Sequence, residues 1–545
     1  MKLFLKMLAA ATLTTAASSC SSFLDINTNP NAFTTATAPT PDAILAQALS
    51  ITAANYTGRN PSFNTYASFA ADYWGKSGVV NGFTEERTYN YTNVYYQNLW
   101  SNTYDNLNDY NVIQTQGATL GYPNHAAIAR IMKVYNFLLL VDEYGDIPYT
   151  KALQGTANLT PTYDKAQDIY KDFIVQLTGA ITDIDAAAAA TTTRAVGSED
   201  IVFAGNMTMW KRFANSLKLR ILLRESQTSD ATLNSYVATQ MTALQASAAT
   251  TGGFITADVV AQPGYAQSTD QQNPFYNRYG LTITGGAAAE RSYQLPTNYA
   301  LNQYINNNDP RVSQLYTRGS RTPAGTTTAV PQYVGTDVGE PAPVLFTGAA
   351  VGSRFLNGGG ILKGYNAPTA LMLLSEHLFS KAEAETRGLF TGGDAAAKTD
   401  YFDGIKASFI YYYRAAATTN TSINASTLTA LTTAAAPGIT QYNTYIAANP
   451  SNPLVDYDNA ASNGSLGKQN VILYQKYLAE NQIASTEAWD DFRRAAQPKI
   501  QISQEASQGK FPKRLFYPQT EINTNQGNVP AGVTQYTPIF WDVVD

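Results

Sequence analysis

Four long segments of the chain place apolar residues three and four positions apart, the spacing that gives a helix one apolar face. In residues 126–149 this stripe includes Ile128, Ile131 and Tyr135, and it stops near Gly145, a residue typical of helix ends. The other long segments cover residues 209–226, 371–388 and 468–495. Shorter candidates cover residues 41–55, 89–115, 163–185 and 401–416. The sequence therefore predicts a mostly α-helical protein.

Two long segments between these helices lack helical spacing. Residues 250–300 and 318–362 are rich in Thr, Gly, Pro and Asn, and they also contain aromatic residues. Segments of this length without regular structure usually carry function or act as linkers. Because their aromatic content argues against a simple linker, we expect a functional surface in them.

The first residues have the order of a secretory signal. Lys2 and Lys6 precede an uncharged apolar run, and small residues then lead to Cys20. The run is too short to remain as a membrane-spanning helix. The residues before Cys20 resemble the lipobox of bacterial lipoproteins, although Ala17 stands where a large aliphatic residue is usual. We predict that residues 1–19 are a lipoprotein signal peptide and that Cys20 is acylated; the alternative is ordinary cleavage that leaves a free thiol.

Composition narrows the classes of partner. Cys20 is the only cysteine, so the mature chain forms no internal disulfide and depends on core burial for its stability. The net charge is −5 and charged residues make up 14% of the chain, which argues against a nucleic-acid partner or a polybasic membrane patch. The chain has 36 Tyr against 22 Phe and 5 Trp. A ring with a hydroxyl group suits a partly wet binding surface.

Metal chemistry has little support in the sequence. The only two histidines are His125 and His377, and neither has a ligand at metal-binding spacing such as His-Glu-x-x-His. His377 is next to Glu376, but adjacent helical residues point apart. The sequence therefore predicts no metal site and no cofactor, and it favours a surface or core-edge position for His377.

Two carboxylate pairs suggest an alternative function as a surface glycoside hydrolase, whose chemistry needs a carboxylate on either side of a glycosidic bond. The pairs are Asp142-Glu143 and Asp490-Asp491. Both lie at the ends of predicted helices, where carboxylates commonly cap the helix or pair with nearby cations such as Arg493 and Arg494. We therefore predict no catalytic residue.

A segment from residue 73 to residue 83 combines aromatic rings, glycines and an amide. It contains Tyr73, Trp74, Asn81 and Phe83. A sugar ring has an apolar face of C–H groups and a rim of hydroxyls, so its binder needs a flat aromatic beside amide or carboxylate partners. We predict ligand contacts for these four residues, with Trp74 the leading candidate. The alternative is that Trp74 packs beneath the loop as part of the core.

A second segment, QQNPFYNRYG at residues 271–280, has the same combination of residue types. Phe275, Tyr276 and Asn277 are therefore further candidates for ligand contact. A structural role is the competing interpretation, and the resemblance described next favours it for this segment.

Eight blocks along the chain resemble the SusD/RagB family of nutrient-binding outer-membrane lipoproteins of the Bacteroidetes, in its SusD-like branch. The blocks are SSFLDINTNPNAF (21–33), YQNLWSNTYDNLNDYNVI (96–113), VDEYGDIPYTKAL (141–153), YDKAQDIYKDFIVQL (163–177), GNMTMWKRFANSLKLRIL (205–222), QQNPFYNRY (271–279), AEAETRG (382–388) and EAWDDFRR (487–494). Each block alone is weak evidence. Their order and their span across nearly the whole chain make the combination specific.

The resemblance implies a scaffold of tetratricopeptide-like helical hairpins overlaid by a loop-rich half, with residues 20–545 as a single SusD-like nutrient-binding domain. It implies a non-enzymatic protein that is lipid-anchored in the outer membrane and faces the cell exterior. Its expected ligand is an oligomeric nutrient, a glycan before a peptide, delivered to a TonB-dependent SusC-like transporter. Ligand residues vary within this family, so none is carried over by motif.

Overall fold

Helices are the main secondary structure of the computed structural model, which describes residues 39–190, 193–415, 426–460 and 467–543. The helices are α1 (Pro41–Thr57), α2 (Phe63–Ala70), α3 (Thr84–Thr88), α4 (Asn98–Leu120), α5 (Pro123–Tyr144), α6 (Ala166–Ala189), α7 (Met207–Arg224), α8 (Ala231–Thr250), α9 (Pro274–Tyr279), α10 (Asn298–Ile305), α11 (Val312–Leu315), α12 (Leu374–Thr386), α13 (Gly393–Tyr413), α14 (Leu428–Leu431), α15 (Ile439–Ala447), α16 (Gly467–Glu480), α17 (Ser485–Ala495) and α18 (Gln519–Thr524). The strands are β1 (Trp74–Lys76), β2 (Ile147–Pro148), β3 (Tyr163–Asp164), β4 (Val259–Ala261), β5 (Gln294–Pro296), β6 (Gly319–Arg321), β7 (Val330–Gln332), β8 (Ala350–Val351) and β9 (Thr369–Met372). The prediction of a mostly α-helical protein is confirmed. Within the described ranges, no helix has the length and apolar character needed to cross a membrane.

Local chemistry sets the ends of several predicted helices. α5 ends at Tyr144 because Gly145 adopts a φ of +72°, and a Cβ at that position would lie 2.8 Å from Nη1 of Arg514. α7 begins where the Asn206 side chain accepts a hydrogen bond from the Met209 N–H at 3.2 Å. The helices predicted over residues 41–55, 126–149 and 209–226 therefore correspond to α1, α5 and α7.

Several predicted helix boundaries are wrong. The helix predicted over 89–115 begins only at Asn98, as α4, and the one predicted over 401–416 begins earlier, at Gly393, as α13.

The segment 468–495 forms two helices, α16 and α17, because Gln482 between them adopts a left-handed φ of +68°. The helix predicted from residue 371 starts only at Leu374, since the preceding residues form strand β9. The carboxylate of Asp258 accepts a hydrogen bond from the Leu374 N–H at 2.7 Å and thereby caps the start of α12.

Consecutive helices pack on one another and form the scaffold. Each helix from α4 to α7 contacts the next one in the chain, and α12 contacts both α13 and α16. The apolar stripe of α5, with Ile128, Ile131 and Tyr135, lies in the main core with Leu217 and Ile221 of α7. This packing of neighbouring helices agrees with the hairpin scaffold that the resemblance implies.

The C-terminal helices close against the first helices of the chain. The side chain of Asn64 on α2 donates to the Gln482 carbonyl at 2.9 Å and accepts from the Ser485 N–H at 3.0 Å. The Tyr73 hydroxyl donates to the Tyr477 carbonyl at 2.6 Å. Residues about 400 positions apart are therefore joined by buried hydrogen bonds, and the two ends of the described chain form one core.

The loop-rich part is organised by short antiparallel strands. β1 pairs with β5, β4 pairs with β9, and β6 pairs with both β7 and β8. The first of these pairs places Trp74 opposite Pro296 and fixes the long segment 250–300 to the scaffold. The sheet of β6, β7 and β8 organises the segment 318–362, which supplies one wall of the cleft described below.

A candidate ligand-binding cleft

Trp74 lies in the protein core. Its side chain is 0% exposed, and its ring centroid lies 5.9, 5.3 and 5.1 Å from those of Phe69, Tyr279 and Phe355. A sugar needs an accessible ring face for stacking, and this indole has none. The prediction that Trp74 contacts ligand is therefore wrong in this structure, and the alternative of a core position describes it correctly.

Three other aromatic candidates are also buried. Tyr73 stacks on Tyr477 with ring centroids 4.3 Å apart, and its hydroxyl is taken by a backbone carbonyl. Phe275 and Tyr276 lie in the same core cluster as Trp74. These residues pack loops onto the scaffold, so the prediction of ligand contact is wrong for them too.

The remaining sequence candidates reach the surface. Asn81 and Asn277 are exposed, and Phe83 is half-buried with its ring 4.8 Å from that of Phe69. The two predicted loops meet in the core, where the rings of Trp74 and Phe275 lie 6.1 Å apart. Ligand contact by Asn81, Phe83 and Asn277 stays a prediction.

An open cleft of about 460 Å³ lies where the end of α10 faces the sheet of β6 and β7. Its lining residues are Tyr304, Ile305, Asn308, Asp309, Pro310, Val312, Arg318, Pro331, Gln332 and Tyr333. Several of them come from the segment 318–362, in which the sequence predicts a functional surface. We call this cavity the Tyr333 cleft.

Strand register brings the two key side chains of this cleft together. β6 and β7 are antiparallel with Gly319 opposite Gln332, so the next pair outward is Arg318 and Tyr333. The Arg318 guanidinium lies over the Tyr333 ring, 5.8 Å from its centroid. The Tyr333 ring is half-buried and packs in part against the main core, and its hydroxyl makes no hydrogen bond to any residue in the described part of the chain. Tyr333 thus offers a ring and a free hydroxyl to a ligand.

The opposite wall is rigid. The Tyr304 hydroxyl donates to the Leu478 carbonyl at 2.8 Å. The buried Arg311 guanidinium pairs with the Asp309 carboxylate at 2.6 Å and donates to Ser408 Oγ at 2.8 Å. Buried, charge-assisted bonds of this kind fix side chains in one geometry. The wall that faces Tyr333 is therefore held in place before any ligand binds.

The cleft combines apolar and amide groups at its mouth. Ile305 is 41% exposed, and the side chains of Asn308 and Gln332 are exposed amides. Pro331 adds a second apolar surface beside them. An aromatic face, amide donors and acceptors and one guanidinium form a set that can hold the C–H face and the hydroxyl rim of a sugar.

The sequence did not single out Tyr333 or Arg318. They are 15 positions apart, and only the register of β6 and β7 places them side by side. The usable sequence signal is the local pattern of an aromatic next to an amide at Gln332 and Tyr333, within a segment already predicted to carry function.

The two carboxylate pairs contact cations, as predicted, and they are also buried, which the sequence did not indicate. Arg493 contacts both Glu143, at 3.3 Å, and Asp490, while Arg494 contacts Asp491 at 2.7 Å. All four carboxylates are at most 5% exposed, so no glycosidic bond can lie between them in this structure.

The two histidines are both interior. His125 Nε2 lies 2.9 Å from Glu199 Oε1, a pairing across 74 positions that spacing could not reveal. His377 is buried beside Phe254, and burial lowers its pKa well below the usual range, with Lys381 as a further cause. The predicted surface or core-edge position of His377 is therefore wrong. In the described ranges, no three His, Cys, Asp or Glu side chains form a group that could hold a metal ion.

Known proteins match this chain over nearly its whole length. A family model described as SusD-like, "starch-binding associating with outer membrane", matches residues 30–518. A solved structure titled chitin-binding protein is similar with a TM-score of 0.67 and 22% identity, covering 92% of this chain and 100% of its own. A SusD homologue from Bacteroides fragilis NCTC 9343 has a TM-score of 0.68 and 21% identity, covering 92% and 99%. A SusD-like protein from Bacteroides thetaiotaomicron VPI-5482 has a TM-score of 0.67 and 21% identity, covering 93% and 99%.

No curated protein sequence matches this chain. At these identities the solved structures establish the fold, and their similarity over nearly the full length confirms the predicted arrangement of helices and loops.

Proposed function

This chain belongs to the SusD-like family, and from that membership we propose that it is a cell-surface lipoprotein that binds an oligosaccharide and delivers it to a TonB-dependent outer-membrane transporter. The observation that carries the binding part is the Tyr333 cleft. Its half-buried ring, exposed amides and rigid opposite wall match what a neutral, hydroxyl-rich ligand requires. The protein is proposed to bind without chemical turnover.

A glycan fits the cleft better than a peptide for two reasons. The family description refers to starch binding, and one similar structure is titled a chitin-binding protein. Within the cleft, Arg318 is the cation at the mouth, while the Asp309 carboxylate is already neutralised by Arg311. The Tyr333 ring and the two exposed amides at the mouth supply the stacking and hydrogen-bond contacts that a sugar uses.

Replacing Tyr333 by alanine is expected to weaken oligosaccharide binding about 5- to 140-fold, because a stacking contact contributes about 1–3 kcal/mol by analogy with stacking on nucleobases. Tyr333→Phe should keep most of the affinity, since the ring face remains. Isothermal titration with malto-oligosaccharides, chito-oligosaccharides and short peptides measures the effect.

The matched control is Tyr236→Ala, which removes another half-buried tyrosine from α8, outside the cleft. It should bind like the wild type. If the wild type binds a glycan and Tyr333→Ala binds it equally well, the site lies elsewhere, and the exposed residues Asn81 and Phe83 become the next candidates. Binding of peptides alone would replace the glycan proposal, and hydrolysis of a bound glycan would refute the non-enzymatic one.

Membrane attachment is proposed through Cys20, which lies outside the described residues. Cys20→Ser should move the protein from the membrane fraction to the soluble fraction, because two or more acyl chains are needed for stable anchoring and the variant carries none. Immunoblots of fractionated cells, with the wild type as reference, measure this change. A Cys20→Ser protein that remains fully in the membrane fraction would contradict the proposed anchor.

A further inference from the structure

A second cleft, of about 450 Å³, lies on the helical side of the protein between α4, α5 and α6. Its lining residues are Asn111, Gln114, Arg130, Lys133, Val134, Phe137, Tyr149, Thr150, Ala152, Leu153, Asp172 and Gln176. None of them lines the Tyr333 cleft. We call this cavity the Lys133 cleft.

Lys133 is the charged residue of this cleft whose side chain makes the fewest hydrogen bonds. Its Nζ donates to Asn111 Oδ1 at 2.9 Å, and no carboxylate of the described residues lies within ion-pair distance. Burial, with the charge of Arg130 as a second cause, lowers the pKa of Lys133 to about 8. An ammonium group has three donors, so two of them are free for a ligand.

The other charged groups of the cleft are already engaged. The Arg130 guanidinium donates to Gln176 at 2.8 Å and to Asp183 at 2.9 Å. The Asp172 carboxylate accepts from the Tyr149 hydroxyl at 2.5 Å and from the Gln176 amide at 3.1 Å. Arg130 is thus paired with the carboxylate of Asp183, just outside the lining, and Lys133 is the lining cation without a carboxylate partner among the described residues.

We propose that the Lys133 cleft is a second binding site, for a hydroxylated monocarboxylic acid such as a uronic acid residue. A single carboxylate can pair with the Lys133 ammonium, which has no carboxylate partner among the described residues, whereas a doubly charged phosphate would face the Asp172 carboxylate without a second free cation. The site lies in a different cleft from the oligosaccharide site and does not depend on it.

The rest of the lining fits the hydroxylated part of such an acid. Gln114 offers a side-chain amide, and Thr150 offers an acceptor oxygen, since its hydroxyl already donates to Asp164 at 2.8 Å. Phe137 and Val134 supply an apolar surface. The cavity is much larger than a carboxylate group, so a sugar acid fills it where acetate does not. Asn111 is held in position because its amide donates to the Leu153 carbonyl at 3.2 Å.

Titration of the full mature protein with D-glucuronate, D-glucose and acetate tests the proposal. Glucuronate should bind at least about 10-fold more tightly than glucose, which has the same ring without the charge, and than acetate, which has the charge without the ring. Lys133→Gln and Lys133→Met should each weaken glucuronate binding about 10-fold or more. Lys151→Gln, at an exposed lysine of the neighbouring loop that does not line the cleft, is the matched control and should bind normally.

A measurement on the wild type avoids any effect of substitution on folding. Acetic anhydride labels free lysine amines, and glucuronate should slow labelling of Lys133 but not of Lys151, as read by peptide mass spectrometry. Equal binding of glucose and glucuronate, or unchanged labelling of Lys133, would overturn the proposal. The Tyr333→Ala protein should keep its affinity for glucuronate, so failure of the oligosaccharide proposal and failure of this one give different results.

Discussion

Trp74→Ala is expected to lower the free energy of unfolding by about 3–5 kcal/mol, the range for removing a fully buried tryptophan. The indole is 0% exposed and contacts Phe69, Tyr279 and Phe355 in the core. Alanine leaves a cavity that the surrounding rings can close only in part, since β1 is held by its pairing with β5. Urea denaturation followed by circular dichroism measures the loss as a lower midpoint.

Trp74→Phe is the matched control. The indole Nε1–H makes no hydrogen bond in the described structure, so phenylalanine loses packing but no polar contact and should cost clearly less than alanine. Oligosaccharide affinity of the folded Trp74→Phe protein should match the wild type. A Trp74→Ala protein as stable as the wild type but deficient in ligand binding would instead return Trp74 to the binding site.

The helices could be predicted where one segment carries a clear apolar stripe, as α5 and α7 do. α8 was missed although Leu233, Val237, Met241 and Leu244 follow helical spacing, because Thr, Ala and Gln around them dilute the pattern. The break between α16 and α17 could not be predicted, since it depends on Asn64, more than 400 positions earlier in the chain. Long-range contacts override local propensity at such points.

Local sequence also could not show which aromatic residues of the candidate site are buried. The sequence predicts function in the loop-rich segments, and one of them, 318–362, supplies one wall of the Tyr333 cleft, while residues 304–312 outside it supply the other. Local composition could not distinguish Trp74, whose ring is enclosed by residues from three separate segments, from Tyr333, whose ring stays open. Burial is a property of the fold, so aromatic residues next to glycine and asparagine remain ambiguous until the packing is known.

Arg224→Met is the second large effect that we expect, with a loss of about 3–5 kcal/mol in the free energy of unfolding, because it removes one partner of a buried ion-pair network. The Arg224 guanidinium contacts the carboxylates of Asp142 and Glu487 and lies 2.9 Å from that of Asp490. All of these groups are at most 3% exposed. Methionine fills much of the space of the arginine side chain but carries no charge. The three buried carboxylates then lose this cation, and the folded state is destabilised.

Lys211→Met is the matched control for loss of a cation. Lys211 pairs with Asp185 at 2.7 Å, but that carboxylate is 52% exposed and water can replace the lysine. A pair of this kind contributes about 0–1 kcal/mol. Lys211→Met should therefore unfold at nearly the same urea concentration as the wild type, and a loss as large as that of Arg224→Met would mean that charge removal alone is harmful.

The pH dependence of the Arg224→Met protein separates lost charge pairing from lost packing. Burial raises the pKa of Asp142, and Arg224 is the group that opposes this rise most strongly. Beside Arg224 that pKa is about 8, and without Arg224 it rises further, so the folded variant binds this proton at a higher pH than the folded wild type does. The variant should therefore gain stability relative to the wild type as pH falls from about 10 toward 8. Packing loss alone would give a difference that does not change with pH. Urea midpoints of both proteins across this range decide between the two, and a constant difference would contradict the view that Arg224 acts by holding buried carboxylates in their charged form.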